Sequence, residues 1–422
     1  MSAESTPRPW GAAAERVREG AGELVERMRS GNLGALPVVL GLAVIWTVFQ
    51  ILNPVFLSST NLVNLTLQSA AIGTMTLGVV IVLLVGEIDL SVGSVSGLSA
   101  AVLAVAMVQA RWPLIFAMIA AVLAGTVVGL LYGFLFTRFG IPSFVITLAG
   151  LLGILGVQLW VLGEAGSINL PFDSWLVVFA QQMFLPAWAS YAVIAVAMCA
   201  SVWSRLRTAR RRERANLTFQ STRAIVARAA VVLVGLSAAT WYLNLSRGVG
   251  VSFLLFVVLV VVADYALTRT RWGRAVYAVG GSVEAARRAG IRVDRIYISA
   301  FVLCSTLAAA GGLLAAARLA AVNQSSGSAD TNLNAIAAAV IGGASLFGGR
   351  GTAWAALLGI LVIQSISSGL TLLNLDSSVR FIVTGVVLVG PSRQAKGDQV
   401  LFRRETTHSL PRRMTGLFAP FR

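Results

Sequence analysis

The chain has 422 residues, of which 57% are hydrophobic and 12% charged, and its mean hydropathy is +0.82. Soluble domains carry about 25% charged residues, so this composition excludes an ordinary soluble protein. The net charge of +16 is spread over short polar segments instead of one folded face, which argues against a nucleic-acid partner. Most of the basic residues lie in segments 1–30, 204–228, 269–295 and 391–422.

Apolar runs of roughly 17–25 residues recur along the chain, and this length crosses the hydrocarbon core of a bilayer. They predict an all-α, polytopic bundle of about 12 transmembrane helices, with a range of about 10–12. Short Lys- and Arg-rich segments mark the cytoplasmic side, and all four fall on that side when both termini are cytoplasmic. The predicted spans are 36–56, 64–86, 92–110, 113–136, 142–162, 187–203, 229–246, 249–268, 296–320, 334–348, 352–373 and 377–390.

Segments outside these spans complete the predicted organisation. Residues 1–35 are predicted to be a cytoplasmic segment, with either an amphipathic helix on the membrane surface or a disordered tail over 8–30. Segment 163–186 falls on the outer side and carries Trp175 and Phe179, which predict a half-embedded stretch. Span 334–348 is short and Gly-rich, so it is either a span or a re-entrant segment.

Several classes of active site are excluded by residues that the chain lacks. Lys396 is the single lysine, so no P-loop exists and the chain is not a P-loop ATPase. His408 is the single histidine, which excludes a Ser-His-Asp triad or a His-based metal cluster in the membrane region. Cys199 and Cys304 lie in apolar runs and are predicted to be small buried hydrophobes. No metal and no cofactor are predicted, and an embedded enzyme would have to use carboxylates.

The stretch "GEIDLSVGS" places Glu87 and Asp89 inside an otherwise apolar region. A charge at the bilayer centre costs about 2.5–3.5 kcal/mol, so such residues face a cavity, find a partner or lie near the interface. Asp89 and Ser91 are helix-capping types and Gly86 loosens the backbone, which predicts a broken helix or a tight turn. Two interpretations stay open, namely a polar break that lines a substrate path or its gate, and a capped turn at the interface.

The stretch "VIGGASLFGGRGT" resembles this first one at three positions. An internal parallel repeat is one interpretation, and close helix packing through small residues is the other. The matching positions are Gly86, Leu90 and Gly93 in the first stretch, and Gly342, Leu346 and Gly349 in the second.

Segment 269–295 contains "SVEAARRAG", which predicts a short helix with Ser282 as its N-cap and Gly290 as its stop. The capping box is incomplete, because Ala285 stands where Glu or Gln would complete it. Spacing alone leaves two interpretations, a helix that docks to a soluble partner and a solvated loop.

Four motifs in order carry a family resemblance over about residues 36–389. "GEIDLSVGS", "IPSFVITLAG", "AVYAVGGSVEAARRAGI" and "LNAIAAAVIGGASLFGGRGT" resemble the membrane permease subunits of bacterial ribose/xylose/arabinose-type ABC sugar importers. The Arg-rich "SVWSRLRTARRRERANLTFQS" is similar to the xylose-type branch. The tail 391–422 is atypical, and Asn332 and Asn334 stand where the family usually carries acids.

The resemblance implies that residues 36–390 form a permease domain in the bacterial inner membrane. It would translocate a monosaccharide, with a pentose such as xylose as the expected substrate, and would not be an enzyme. The implied partners are a second permease copy, an extracytoplasmic sugar-binding protein and an ATPase subunit with two fused nucleotide-binding domains. Segment 280–292 would be the coupling helix, with contacts from Gly281, Ser282, Glu284, Ala285, Ala286, Arg287, Arg288 and Gly290.

Polar residues inside the spans are the candidates for the sugar path, although each could instead satisfy a neighbouring helix. Two other functions stay open, a proton-coupled secondary sugar transporter that uses Glu87 and Asp89, and an intramembrane enzyme that uses the same acids. The predicted path residues are Gln68, Thr74, Glu87, Asp89, Thr147, Gln158 and Gln364.

Overall fold

The computed structural model describes residues 36–375 apart from 216 and 218–220, and isolated positions at 378, 379, 382 and 385. The segments 1–35 and 391–422 and most of span 377–390 lie outside it, so the predictions made for them stay predictions. The helices are α1 Leu36–Leu52, α2 Ser59–Leu84, α3 Val92–Ala104, α4 Leu114–Phe139, α5 Ser143–Leu162, α6 Trp175–Gln181, α7 Ala187–Arg214, α8 Thr222–Asn244, α9 Val251–Arg269, α10 Arg271–Gly281, α11 Val283–Arg288, α12 Val293–Leu319, α13 Ala329–Ile341 and α14 Trp354–Leu372.

Nine helices in the described part of the chain are long and apolar enough to cross a membrane. They are α2, α4, α5, α7, α8, α9, α12, α14, and α3 together with the π-helical turn Val105–Gln109 that extends it. A tenth apolar helix, α1, has 17 residues. The prediction of an all-helical, polytopic bundle is therefore confirmed, while the count of twelve spans stays a prediction.

Two predicted elements have different lengths in the structure. Span 334–348 is the 13-residue helix α13, which covers only about 20 Å and ends where the backbone enters a glycine-rich loop. Span 187–203 continues as α7 through to Arg214, and α8 begins at Thr222. Much of the loop predicted over 204–228 is thus helical, because its arginine-rich sequence forms helix well outside the apolar run.

Helix α12 is the centre of the bundle and packs against α4, α2 and α3. Glycines spaced four residues apart on α4 let its backbone approach α12: Gly125 faces Ala309, and Gly133 faces Ile298. Such stripes of small residues allow close van der Waals packing where the surrounding lipid provides no hydrophobic drive between helices. Cys304 is fully buried at this centre.

The exterior of the bundle is apolar. Trp160 on α5 is 82% exposed and Val231 on α8 is 73% exposed, as expected for side chains that contact lipid. Cys199 is exposed on α7, so the prediction that it is buried is wrong, because α7 lies at the periphery against α8.

The two ends of the bundle differ in composition. The arginine end carries α10 and α11, the end of α4 at Arg138 and the end of α9 at Arg269. The hairpin end carries strands β1 Ser167–Asn169 and β2 Ala321–Asn323, which pair antiparallel. Within segment 163–186, Trp175 at the start of α6 is 56% exposed and stacks on Phe179 at 5.1 Å between ring centroids.

Candidate functional site

A cavity of about 350 Å³ lies between α2, α3, α12, α13 and α14 at the hairpin end. Its size is at the small end of the range of about 300–1,000 Å³ for ligand pockets. Alanines and glycines of α2, α3 and α12 form its apolar wall. The polar lining consists of Gln68, Ser96, Arg318, Asn323, Ser325, Ser326, Thr331 and Gln364.

Most of this polar lining can both donate and accept hydrogen bonds, because it consists of amide and hydroxyl groups. Gln364 donates from Nε2 to the carbonyl oxygen of Gln68 at 3.3 Å, which joins α14 to α2 at the cavity wall. Arg318 adds the charged group at the end of α12, and its guanidinium has no hydrogen-bond partner among the described residues. The cavity can therefore hold a small solute with several hydroxyl groups.

Gln158 on α5 supports the polar wall from behind. It is fully buried, and its Nε2 donates to the carbonyl oxygens of Ser326 at 2.9 Å and Asn323 at 3.4 Å. These contacts fix the loop that follows β2, and this loop forms one side of the cavity.

The predicted break is a tight turn, residues 85–91, between α2 and α3. Gly86 has φ +86°, which allows the chain to leave α2. One Asp89 carboxylate oxygen accepts from the Ser91 amide at 2.8 Å and from the Ser91 hydroxyl at 2.7 Å. Thr147 on α5 braces the turn through the Ile88 carbonyl oxygen at 3.4 Å. The prediction of a broken, capped segment is confirmed.

The first turn of α3 is capped from another helix. The Asn332 side chain on α13 donates to the Leu90 carbonyl oxygen, and its own oxygen accepts from the Gly93 amide at 3.4 Å. Ser91, the residue at the N-cap position, makes no side-chain cap bond because its hydroxyl is used by Asp89. Asn332 thus joins α13 to the turn through both halves of its amide.

Both acids of the turn lie outside the helices that span the membrane. Burial raises the pKa of the Asp89 carboxyl, and the hydrogen bonds from Ser91 lower it by less. Burial also raises the pKa of Glu87, against a smaller lowering by a hydrogen bond with Ser143. Both shifts follow from the cost of withdrawing a charged carboxylate from water.

The predicted path residues separate into two groups by position. Gln68 and Gln364 line the cavity. The other five lie outside its lining: Gln158 stands behind it, Thr74 bonds the Ala70 carbonyl oxygen of its own helix, and Thr147, Glu87 and Asp89 belong to the turn region. For all seven residues, the role in transport stays a prediction.

The predicted short helix at the arginine end is confirmed as α11. The Ser282 hydroxyl accepts from the Ala285 amide at 3.3 Å, and Gly290 adopts φ +78° after the helix ends. Ala286 is 3% exposed and packs on the body of the protein. The other predicted coupling residues are exposed, namely Gly281, Ser282, Glu284, Ala285, Arg287, Arg288 and Gly290.

Sequence reasoning missed several lining residues. Arg318 ends a predicted span, whereas the predicted path residues are uncharged groups within the spans and the two acids. Asn323, Ser325, Ser326 and Thr331 lie in the polar run between two predicted spans, and this run was the available signal. Within the described residues, no group of three or more His, Cys, Asp or Glu could hold a metal ion.

Comparison with known proteins gives one family. A family model described as "Branched-chain amino acid transport system / permease component" matches residues 61–390. The chain is 33% identical over 86% of its length to the "Xylose transport system permease protein XylH" of Escherichia coli, covering 91% of that protein. The corresponding values for XylH of Haemophilus influenzae are 32%, 86% and 96%. Those for the "Ribose import permease protein RbsC" of Bacillus subtilis are 28%, 85% and 92%. No solved structure matches the chain.

Proposed function

Since the chain belongs to this family of ABC-importer permease components, we propose that it carries a pentose, with xylose the first candidate, across the bacterial inner membrane. The resemblance to permease subunits of ribose- and xylose-type importers is confirmed, and the chain is a multi-pass membrane protein and a transport subunit rather than an enzyme.

The observation that carries the proposal is the cavity at the hairpin end. Its amide and hydroxyl lining matches the alternating donors and acceptors of a sugar, and Arg318 adds donors that no described residue occupies. Its size suits a small solute. The relatives named for xylose and ribose transport support a monosaccharide as that solute.

The proposed orientation puts the arginine end in the cytoplasm, because basic residues are retained on that side. The hairpin end then faces outward, where an extracytoplasmic sugar-binding protein would deliver the sugar to the cavity. Ten to twelve spans fit this arrangement, with α13 as a re-entrant helix or a short span. A cytoplasmic segment 1–35 and a basic tail 391–422 complete the proposed domain organisation.

The proposed power source is a separate ATPase subunit with two fused nucleotide-binding domains, bound at α11. Exposed Glu284, Arg287 and Arg288 on a short capped helix offer polar contacts to such a partner. Two permease copies would meet two nucleotide-binding domains, so a homodimer is proposed. ATP binding would then shift the pair between inward- and outward-open states through different contacts in each.

The test is uptake of labelled xylose into vesicles that contain the permease, its ATPase subunit and the sugar-binding protein. We expect accumulation that requires ATP and both partners. Removal of residues 280–292 should abolish uptake while leaving the permease in the membrane. Uptake that is unchanged by this deletion, or that needs no ATP, would contradict the proposal.

A further inference from the structure

We propose that a glycine junction at the arginine end transmits the motion of α11 to the walls of the cavity. The glycine junction consists of Gly86, Gly280, Gly348 and Gly349, together with the side chain of Tyr277. It joins α10 to the turn 85–91 and to the loop 342–353 between α13 and α14. The proposal rests on the proposed function, in which an ATPase moves α11.

The first contact of the junction is between α10 and the end of α2. A Cβ atom built on Gly280 would overlap the carbonyl oxygen of Leu84 and stand 2.5 Å from the amide nitrogen of Gly349. No side chain fits at this position. The two backbones therefore touch directly, and side-chain rotation cannot absorb a displacement of α10.

The second contact joins the α13–α14 loop to both partners. The Gly349 amide donates to the Leu84 carbonyl oxygen at 2.9 Å. A Cβ built on Gly348 would stand 2.8 Å from both the Gly280 carbonyl oxygen and the Gly86 Cα. Gly348 and Gly349 have φ values of +79° and +70°, a left-handed conformation in which glycine costs least. This geometry favours close packing as the reason for the two glycine-rich stretches.

Tyr277 provides the third contact, which is a side-chain bond. Its hydroxyl donates to the Gly351 carbonyl oxygen at 2.8 Å and ties α10 to the far side of the same loop. Arg350 and Ser345 close the loop across its base through a backbone bond of 3.0 Å. The loop is thus held at both ends and moves as one body with α10.

The junction is next to α11 in the chain. Gly281 alone separates Gly280 from Ser282, the N-cap of α11, and the Ser282 amide donates to the Ala278 carbonyl oxygen at 3.0 Å. The hydrogen-bonded ladder of α10 therefore continues up to the cap. A partner that displaces the exposed α11 displaces Gly280 as well.

The junction also leads to the cavity. The turn 85–91 begins α3, and Ser96 and Gly97 of α3 line the cavity. The α13–α14 loop connects the two helices that carry Thr331 and Gln364 into the lining. Asn332 bridges these two routes, because it holds the turn from α13. A shift at the junction therefore reaches three of the cavity walls.

The experiment uses the assembled importer in vesicles and measures sugar taken up per ATP hydrolysed. Tyr277→Phe removes one hydrogen bond without adding volume, and Tyr242→Phe is its matched control. The Tyr242 hydroxyl also donates to a backbone carbonyl, that of Leu57, at 2.8 Å, but at the hairpin end. Gly280→Ala closes the backbone contact, and Gly235→Ala is its control because a Cβ there meets nothing within 4 Å.

We expect Tyr277→Phe to lower uptake per ATP by about 2- to 10-fold, the range that corresponds to one hydrogen bond. Gly280→Ala should lower it further, while ATP hydrolysis and ATPase binding persist. Both controls should keep the wild-type ratio. If Gly280→Ala does not reach the membrane, Tyr277→Phe decides. Wild-type ratios in Tyr277→Phe would overturn the glycine junction, whereas absence of ATP-driven uptake in the wild type would overturn the proposed function instead.

Discussion

Among individual residues, Arg318 stands out as a charged side chain that lines the cavity without a hydrogen-bond partner in the described part of the chain. A guanidinium with free donors in a partly closed cavity binds sugar hydroxyls more strongly than an amide does, because charged hydrogen bonds contribute about 1.5–3 kcal/mol. Its position at the end of α12 places it where a solute would enter from the hairpin end.

We predict that Arg318→Gln lowers ATP-dependent xylose uptake by about tenfold or more, since a charged donor is lost. Arg111→Gln is the matched control, because Arg111 is exposed at the same end and lies outside the cavity lining. Initial uptake rates at a fixed concentration of loaded binding protein measure the effect. Equal rates in the two variants would remove Arg318 from the path.

A second prediction about single residues separates cavity lining from buried polar groups in general. Gln364→Leu removes a lining amide and should lower uptake by about 2- to 10-fold through one lost hydrogen bond. Thr74→Val, at a buried position whose hydroxyl bonds within its own helix, should have a small effect. The same uptake assay, normalised to permease in the membrane, compares them. A larger loss in Thr74→Val than in Gln364→Leu would contradict the assignment of the cavity.

Among the helices, α11 depends on its cap because six residues form too short a helix to be stable alone. We predict that Ser282→Ala weakens ATPase binding by about fivefold, since loss of an N-cap costs about 1 kcal/mol. Ser282→Asn should restore binding, because asparagine caps as well as serine.

The chain offers a matched control for this cap. Ser221 caps α8 in the same way, with its hydroxyl accepting from the Ala224 amide at 3.3 Å. Ser221→Ala should leave ATPase binding unchanged, since α8 lies away from α11. Co-purification of the two subunits at graded detergent-solubilised concentrations gives the affinities. Equal weakening by both substitutions would mean that α11 is not the docking element.

For the permease as a whole, the direction of transport depends on partners. We predict that the purified permease alone, in vesicles with an imposed pH gradient, does not accumulate xylose above the external concentration. Accumulation driven by protons alone would favour the secondary transporter that uses Glu87 and Asp89. Outside the cavity lining, these two acids hold the α2–α3 turn, which suits a structural role better than proton transfer to a bound sugar.

The amino-acid order alone was enough to predict the class of protein, most of the spans, the α2–α3 turn and the capped helix α11. These features depend on local properties: apolar runs as long as the bilayer is thick, and capping residues next to the groups that they satisfy. The folded chain was needed to show that α13 is short, that Asn332 caps α3, and that Arg318 and the 323–327 loop share a cavity with Gln68 and Gln364. It was also needed to show that three glycine-bearing segments meet at one point. These features depend on contacts between residues far apart in the chain, and hydropathy and spacing contain no information about which helix packs beside which.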